Sequence, residues 1–421
     1  MAFTYEKLWK RVSERGLSKM ELKDVCQITS SSLSRLSKNQ NVSLDILDRI
    51  CVFLECDVND IIEHIKHEDA NHLSGLRFID LFAGIGGFRL AGEENGMRCV
   101  FSSEIDKYAC EVYKMNFGDM PSGDITEIEA DDIPDFDVLF AGFPCQPFSY
   151  SGQLQGFEDE TRGTLFFDIV RILKAKQPKM FLLENIKGLK SHNKGETMSI
   201  IIEQLEALGY RVEWRILDSL HYGVPQSRER WYCVGFKDAE SSINFNFPEP
   251  DLDRVTIRSI IDFEENNNNS LKLSDFELSR INHHFDVCAI DDDQQIRVEH
   301  DNTKYESNTK KGKHGVFSYL KPDKSLRFHV GDYAKTQIQE AYYCNLDSYT
   351  PSIIASRAPK LWDMKRYLSD RECARLQGFP EKFKLSNSTA QAKKQLGNSV
   401  TVPVVSKIIK NMLDALGSSG E

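Results

Sequence analysis

Apolar positions along the chain follow three successive patterns. Over residues 4–65 they recur at helical spacing in short stretches, with Tyr5, Leu8, Trp9 and Val12 on one face. In LSKMELKDV, Ser18 and Glu21 form a capping box, each able to satisfy a free backbone donor. A turn at 27–29 leads into SSSLSRLSKNQ. Ser43 is then placed to cap LDILDRICVFL, and Asp57 precedes VNDIIEHI, so the whole segment reads as a run of short helices. Residues 66–75, KHEDANHLSG, are polar and aperiodic, which sets a first domain at 1–66 and a linker at 67–75. From 76 the pattern switches. LRFIDLF, RCVFSSE, FDVLFAG and KMFLLEN read as buried strands, separated by helical stretches that include 106–116, 164–175 and 197–208. Such alternation implies an α/β fold, a mostly parallel sheet with helices on both faces. After Pro250 the pattern breaks down, and residues 251–303, with EENNNN and DDD, read as loops. At about 366 helical periodicity resumes and runs to Leu416. No internal repeat is visible.

The 421 residues leave room for two or three domains, and 40% apolar with 28% charged residues is ordinary for a globular protein. The opening MAFTYEKLWKRVSERG has charges throughout and no apolar core, so no signal peptide is read there. The longest apolar runs, such as MFLL, fall far short of a membrane span, and no membrane partner is expected. Ten cysteines without a CxxC pair or Cys/His cluster give no metal site and suggest reduced thiols in a cytoplasmic protein. A net charge of −11 argues against a general nucleic-acid coat but leaves DNA binding to the local distribution of cations.

Four constellations carry candidate chemistry. The first is Asp80-Leu81-Phe82-Ala83-Gly84-Ile85-Gly86-Gly87, after a strand and opening a helix. Its glycines let backbone turn tightly and approach a ligand, yet the spacing lacks the GxGxxG of dinucleotide folds and the GK[ST] of a phosphate loop. Glu104 ends the next strand, placed to accept hydrogen bonds from ribose hydroxyls, and Asp124, in GDIT after a third strand region, could bond an exocyclic amine. The glycines alone could equally be a tight strand–helix turn. The second is GFPCQPFS: Cys145 between two prolines, on a stiff loop where open α/β sheets place ligands. A core cysteine fits Cys51 or Cys233 better than this position. The third, LLENI, ends a strand with Glu184 at the same sheet edge. Read by itself, it is a solvated loop carboxylate. In the fourth, QSRER, Arg228 and Arg230 lie two apart in an extended segment and project to one side, suited to an anion or a base carbonyl. An exposed charged loop is the plainer reading.

Their joint order is more specific. DLFAGIGGF, a strand-terminal Glu, GFPCQPFS, ENI, QSRER, RECARLQGFP at 371–380 and QLGNSVTVPV at 395–404 together resemble the DNA cytosine-5 methyltransferase family, over about 76–250 and 366–416. The resemblance implies a Rossmann-like, S-adenosylmethionine-dependent methyltransferase sheet. Cys145 would attack carbon 6 of cytosine, making carbon 5 able to take the methyl group. Glu184 would hold and protonate ring nitrogen 3, Arg230 would bond the base carbonyl, and Arg228 would support the site. Cofactor contacts would come from Asp80, Phe82, Ala83, Gly84, Gly86, Gly87, Glu104, Ile105, Asp124 and Ile125. Asn398 and Ser399 would close the methionine end, and Thr164 would contribute. Ile105 departs from the family, where an aromatic often covers the adenine. The target base would be flipped from the duplex, with SYSGQLQGFEDETRG as a closing loop.

The resemblance sets the catalytic domain at 76–250, a target-recognition domain at 251–365 and a return to the catalytic domain at 366–421. Residues 251–303 carry five Lys and Arg against 13 Asp and Glu, whereas 304–335 carry eight against three. This basic segment interleaves cations with Tyr305, Phe317, Tyr319, Phe328 and Tyr333, and Lys310, Lys311 and Lys313 are its candidates for DNA phosphates. A solvated basic hairpin is the plainer reading. The N-terminal helices resemble a Cro/CI-type helix-turn-helix, with Ser31, Ser32, Ser34, Arg35 and Lys38 facing the groove. A helical docking domain is the alternative. Duplex DNA is the implied partner. A second operator site through residues 1–66, regulation of its own promoter and a cognate restriction endonuclease follow as expectations. A tRNA cytosine-5 methyltransferase and a non-enzymatic DNA-binding regulator are the alternatives.

Overall fold

The computed structural model describes residues 3–15, 17–37, 42–64, 75–144, 165–275, 278, 290–291, 294–295, 298–300, 315–320, 326–331, 339–355 and 359–417. Two compact units divide the chain at Ser74/Gly75. In the first, strands β1 (Phe3–Thr4) and β2 (Glu63–His64) pair antiparallel and bracket helices α1 (Glu6–Glu14), α2 (Lys19–Val25), α3 (Ser30–Ser37) and α4 (Leu44–Leu54). Leu8, Val12, Leu22, Leu36, Ile50, Leu54 and Ile61 form the core. The Ser18 box forms as predicted, with the Glu21 N–H donating to Ser18 Oγ at 3.2 Å and the Ser18 N–H donating to Glu21 Oε2 at 2.7 Å. Ser43 takes the N-cap position of α4 without a side-chain capping bond. Asp57 opens only one tight turn, Val58–Asp60. Asp60 returns its carboxylate to the Asp57 N–H, and the chain then becomes β2 instead of a further helix. The expected linker falls, except for Gly75, outside the described residues.

The second unit is built on a six-stranded sheet. Its strands are β3 (Arg77–Leu81), β4 (Arg98–Ser103), β5 (Val138–Gly142), β6 (Met180–Ile186), β7 (Arg211–Asp218) and β9 (Glu229–Phe236), in the order β4-β3-β5-β6-β9-β7. The first four are parallel, as expected from their apolar runs, but β9 runs antiparallel to both β6 and β7. Helices α5 (Gly87–Glu94), α6 (Lys107–Phe117), α7 (Leu165–Lys176) and α8 (Glu196–Ala207) make the connections. The chain leaves β3 in one direction and β5 in the other, so a crevice opens at their carboxyl ends, where such sheets bind ligands. Residues 119–124 form no strand. The Ser122 N–H bonds the Ser102 carbonyl on the edge of β4, and Asp124 thus precedes β5 on a loop, contrary to its expected place after a third strand.

Short β8 (Gln226–Ser227) leads into β9, and α9 (Ala239–Asn244) follows it. Residues 251–275 hold tight turns at Ile257–Ser259, Phe263–Asn267 and Asn269–Leu271. Beyond them come β10 (Ile290–Asp291), β11 (Gln294–Gln295), β12 (Val298–His300), β13 (Gly315–Leu320), β14 (Leu326–Gly331), β15 (Gln339–Cys344), β16 (Thr350–Pro351), β17 (Lys360–Leu361) and β18 (Arg366–Tyr367). A second six-stranded sheet has the order β12-β13-β14-β15-β17-β18, with β13 and β14 forming a hairpin in the basic segment. The chain returns through α10 (Asp370–Leu376), α11 (Thr389–Asn398) and α12 (Val402–Gly417), and α12 packs on α5 through its apolar face.

A buried ion pair ties the return to the acidic segment. Arg366 donates twice to Glu372, at 2.7 and 2.8 Å, with the two side chains only 1% and 0% exposed. Glu372 also accepts the N–H groups of Ser369 and Asp262, and Arg366 reaches Asn266 Oδ1 and the Asp262 carbonyl. Glu372→Ala would leave a guanidinium buried without its counter-charge. It is expected to cost about 3–5 kcal/mol in urea unfolding, and a loss below about 1 kcal/mol would show that the pair is not what holds this junction.

Candidate active site

The turn after β3 carries three left-handed residues, Phe82 at φ +57°, Gly84 at +55° and Gly86 at +91°. A side chain there is strained, so Phe82 is held by its surroundings at a local cost. The glycines divide their work. A Cβ on Gly86 would meet the Phe117 ring at 2.3 Å, and one on Gly87 would meet Val400 and Ser399 Oγ at 2.7 and 2.9 Å. Gly87 therefore admits the returning chain, and Gly84 faces open space.

At the end of β4 the Glu104 carboxylate accepts the Gly84 N–H on Oε2 and the Asp106 N–H on Oε1, both at 2.8 Å. The resulting cavity, of about 590 Å³, is of small-molecule size. Phe82, Gly84, Glu104 and Ile105 form one wall, Asp124 and Ile125 a second, and Asn398 and Ser399 a third. Thr126 donates to Asp124 Oδ1 twice, from its amide and its hydroxyl. Asp80, Ala83, Gly86 and Gly87 do not line the cavity. Asp80 is fully buried beneath it, without a full hydrogen bond to either oxygen. Burial pushes its carboxyl up to about 8, against the opposing pull of Arg89 and with a further push from Glu104.

The far end of the same cavity is made by Pro144, Glu184 and Arg230. In the β6–β9 register Glu184 faces Tyr232 and Ile186 faces Arg230, so period-two alternation puts both charged side chains on one face. Arg230 Nε lies 3.1 Å from Glu184 Oε1. Burial raises the Glu184 carboxyl above its ordinary range although Arg230 and Arg228 pull it down. Asn185 donates to the Phe143 carbonyl at 3.0 Å, fixing the loop that leaves β5. Arg228 touches the cavity, but its guanidinium is committed elsewhere, donating to Ser352 Oγ and the carbonyls of Ile353, Gly397 and Ser399 at 2.8–3.0 Å. It stitches the returning loops beneath the site instead of presenting a free cation. Cys145 and Thr164, and the expected closing loop, lie outside the described residues. Sequence reasoning gave no role to Asn185, although it stands in LLENI, and missed Lys394 and the carbonyl partners of Arg228, for which no local motif signals a role.

In the N-terminal unit, Arg35 is exposed on α3, whereas the Ser32 N–H bonds Thr29 Oγ1 and its hydroxyl lies 2.9 Å from the same atom. The side chains of Ser31 and Ser34, and residues Lys38, Lys310, Lys311 and Lys313, are not among those described.

The donor set fits S-adenosylmethionine: apolar Phe82, Ile105 and Ile125 flank the space, and a carboxylate stands ready for vicinal hydroxyls. The sheet and its crevice have the form used by S-adenosylmethionine-dependent methyltransferases. A sequence model described as C-5 cytosine-specific DNA methylase matches residues 76–414, and one described as a Cro/C1-type HTH DNA-binding domain matches residues 7–67. The Type II methyltransferase M.HhaI of Haemophilus parahaemolyticus is 40% identical over 349 residues, covering 82% of this chain and 96% of that one. M.DsaV of Dactylococcopsis salina is 41% identical over 339 residues, covering 80% and 86%. The solved structure of S. pombe Dnmt2 methyltransferase shares the fold, with a TM-score of 0.55 at 20% identity over 81% of this chain and 99% of that chain. The chain belongs to the C-5 cytosine-specific DNA methylase family and carries a Cro/C1-type helix-turn-helix domain at its N-terminus. It is a DNA cytosine-5 methyltransferase, with S-adenosylmethionine as methyl donor and duplex DNA as partner.

Proposed function

We propose that the chain methylates one cytosine within a specific duplex sequence through a covalent Cys145 adduct. The observation that carries this is the Glu184–Arg230 pair, buried at the end of the cavity opposite Glu104 and beside Pro144. The Cys145 thiolate forms a bond to carbon 6, and the electron pair displaced towards nitrogen 3 is met by the Glu184 proton. Arg230 turns to the carbonyl oxygen of the base. Bound S-adenosylmethionine supplies an electrophilic methyl on a sulfonium, which carbon 5 takes up. Loss of the carbon-5 proton to water, return of the nitrogen-3 proton to Glu184 and expulsion of the thiolate then restore the ring and the starting enzyme. Since carbon 6 is covered in stacked DNA, the base is flipped into the site.

In this reading residues 76–250 and 366–421 form the catalytic domain and 251–365 the target-recognition domain, where Lys310, Lys311 and Lys313 hold phosphates. Asp80, Ala83, Gly86 and Gly87 support the cofactor turn from beneath, whereas Phe82, Gly84, Glu104, Ile105, Asp124, Ile125, Asn398 and Ser399 touch the cofactor. Residues 1–66 bind a second operator through Ser31, Ser32, Arg35 and Lys38 and regulate the enzyme's own promoter. The enzyme acts in the cytoplasm at the nucleoid, as the modification partner of a restriction endonuclease. Resemblance to Type II methyltransferases over most of the chain supports that setting. Bisulfite sequencing of DNA from cells expressing the protein is expected to show protected cytosines within one recurring short sequence. Methylation of tRNA alone, or of nothing, would overturn the reading in favour of the RNA enzyme or the regulator.

A further inference from the structure

The cavity wall that carries Glu104 is tied to the wall formed by the returning chain. Lys394, on α11, places Nζ 2.6 Å from Asp106 Oδ2, and both residues line the cavity. Asp106 is itself fixed. Its Oδ1 accepts the N–H groups of Tyr108 and Ala109 as the N-cap of α6, and its own N–H donates to Glu104 Oε1. Glu104 in turn receives the Gly84 N–H. Lys394 thus stands two links from the Glu104 carboxylate and three from the glycine turn. Burial alone would raise the Asp106 carboxyl. Lys394 and the two capping amides outweigh burial and hold the group below its ordinary range, while Asp106 pushes the Lys394 ammonium up. Both partners are therefore charged at neutral pH.

We propose that the Lys394–Asp106 ion pair is a clasp across the cofactor cavity, with Lys394 a positioning residue that steadies Glu104 and paces the exchange of spent for fresh cofactor. This rests on the reading of the cavity as the cofactor site. The tie and the charge leave different signatures. Breaking the tie from either side frees the same two walls, so it speeds release of any ligand between them. Charge acts on the difference between the methyl donor, a sulfonium cation, and its spent form, a neutral thioether. Lys394, Asp106 and Glu104 together carry one negative charge. Removing the lysine makes the rim more negative and favours the cation, whereas removing the Asp106 charge makes the rim neutral and disfavours it. For a pair at a partly exposed rim the expected change is about 3- to 5-fold.

The test uses the full-length protein, with S-adenosylhomocysteine and S-adenosylmethionine as probes, followed by stopped-flow tryptophan fluorescence and calorimetry. Lys394→Gln and Asp106→Asn, the latter keeping a capping acceptor, are each expected to speed S-adenosylhomocysteine dissociation about 3- to 5-fold. The double variant should be no faster than either single, and Lys394→Arg should restore slow release. The ratio of the S-adenosylhomocysteine Kd to the S-adenosylmethionine Kd should rise in Lys394→Gln and fall in Asp106→Asn. A purely structural lysine would lower the melting temperature and leave this ratio in place. Unchanged dissociation rates in folded variants, or additive singles, would overturn the clasp. If the native protein bound neither ligand, the cavity reading itself would fall, and the clasp with it.

Discussion

Cys145→Ala is expected to abolish methyl transfer into duplex DNA, on the order of 10⁴-fold or more, while S-adenosylmethionine still binds. Carbon 5 of cytosine is a poor nucleophile until a bond forms at carbon 6, so without the thiolate the remaining groups have no activated ring to stabilise. Binding should survive because the cofactor walls are built from other residues: Phe82, Gly84, Glu104, Ile125 and Asn398 all line the cavity. Pro144, the residue before Cys145, lines the opposite end. Tritium transfer from labelled cofactor, read beside calorimetric binding, separates the two effects. Turnover retained in the variant would sink the covalent mechanism. Turnover and binding lost together would assign Cys145 to the fold instead.

How much of this was legible in sequence depends on how local the cause is. β3, β5 and β6 are near-continuous apolar runs because they are buried on both faces, and such runs declare themselves. β7 does not, since RVEWRILD is an edge strand with most of its side chains partly or fully exposed, so its pattern carries charge. Asp124 was misplaced because a single hydrogen bond from Ser122 to the edge of β4 replaces a strand there. The tail of VNDIIEHI was misread because, after one capped turn at Val58–Asp60, Glu63–His64 pairs with the distant Phe3–Thr4 as a strand. At the site, glycine-rich spacing announced the turn but not the split in its duties. Gly84 faces the cavity, whereas Gly86 and Gly87 make room for Phe117, Val400 and Ser399. Arg228 looked like a partner of Arg230 because alternation puts them on one face. Its acceptors lie 124 to 171 positions away, where no spacing rule reaches.

Glu184→Gln is expected to lower kcat about 10²- to 10⁴-fold and to change the shape of its pH profile. Glutamine can keep a hydrogen bond to the base but cannot deliver a proton to nitrogen 3 as the thiolate attacks. Burial raises the Glu184 carboxyl even though Arg230 and Arg228 oppose it, so more of it holds its proton near neutrality than an exposed glutamate would. The native rate should therefore fall as pH rises through that raised value, and the variant's residual rate should stay flat over the same window. Stability follows the same proton. A carboxyl raised on folding contributes stability that is fully present below its unfolded value and is lost as pH rises through the folded one. Thermal unfolding of the native protein should show that decline. The glutamine variant, lacking the titrating group, should not share its slope at this site, although its starting stability is lower because two arginines have lost their counter-charge. An alkaline fall in rate that persists in Glu184→Gln would mean that another acid delivers the proton, and would leave the buried carboxylate as a clamp for Arg230 alone.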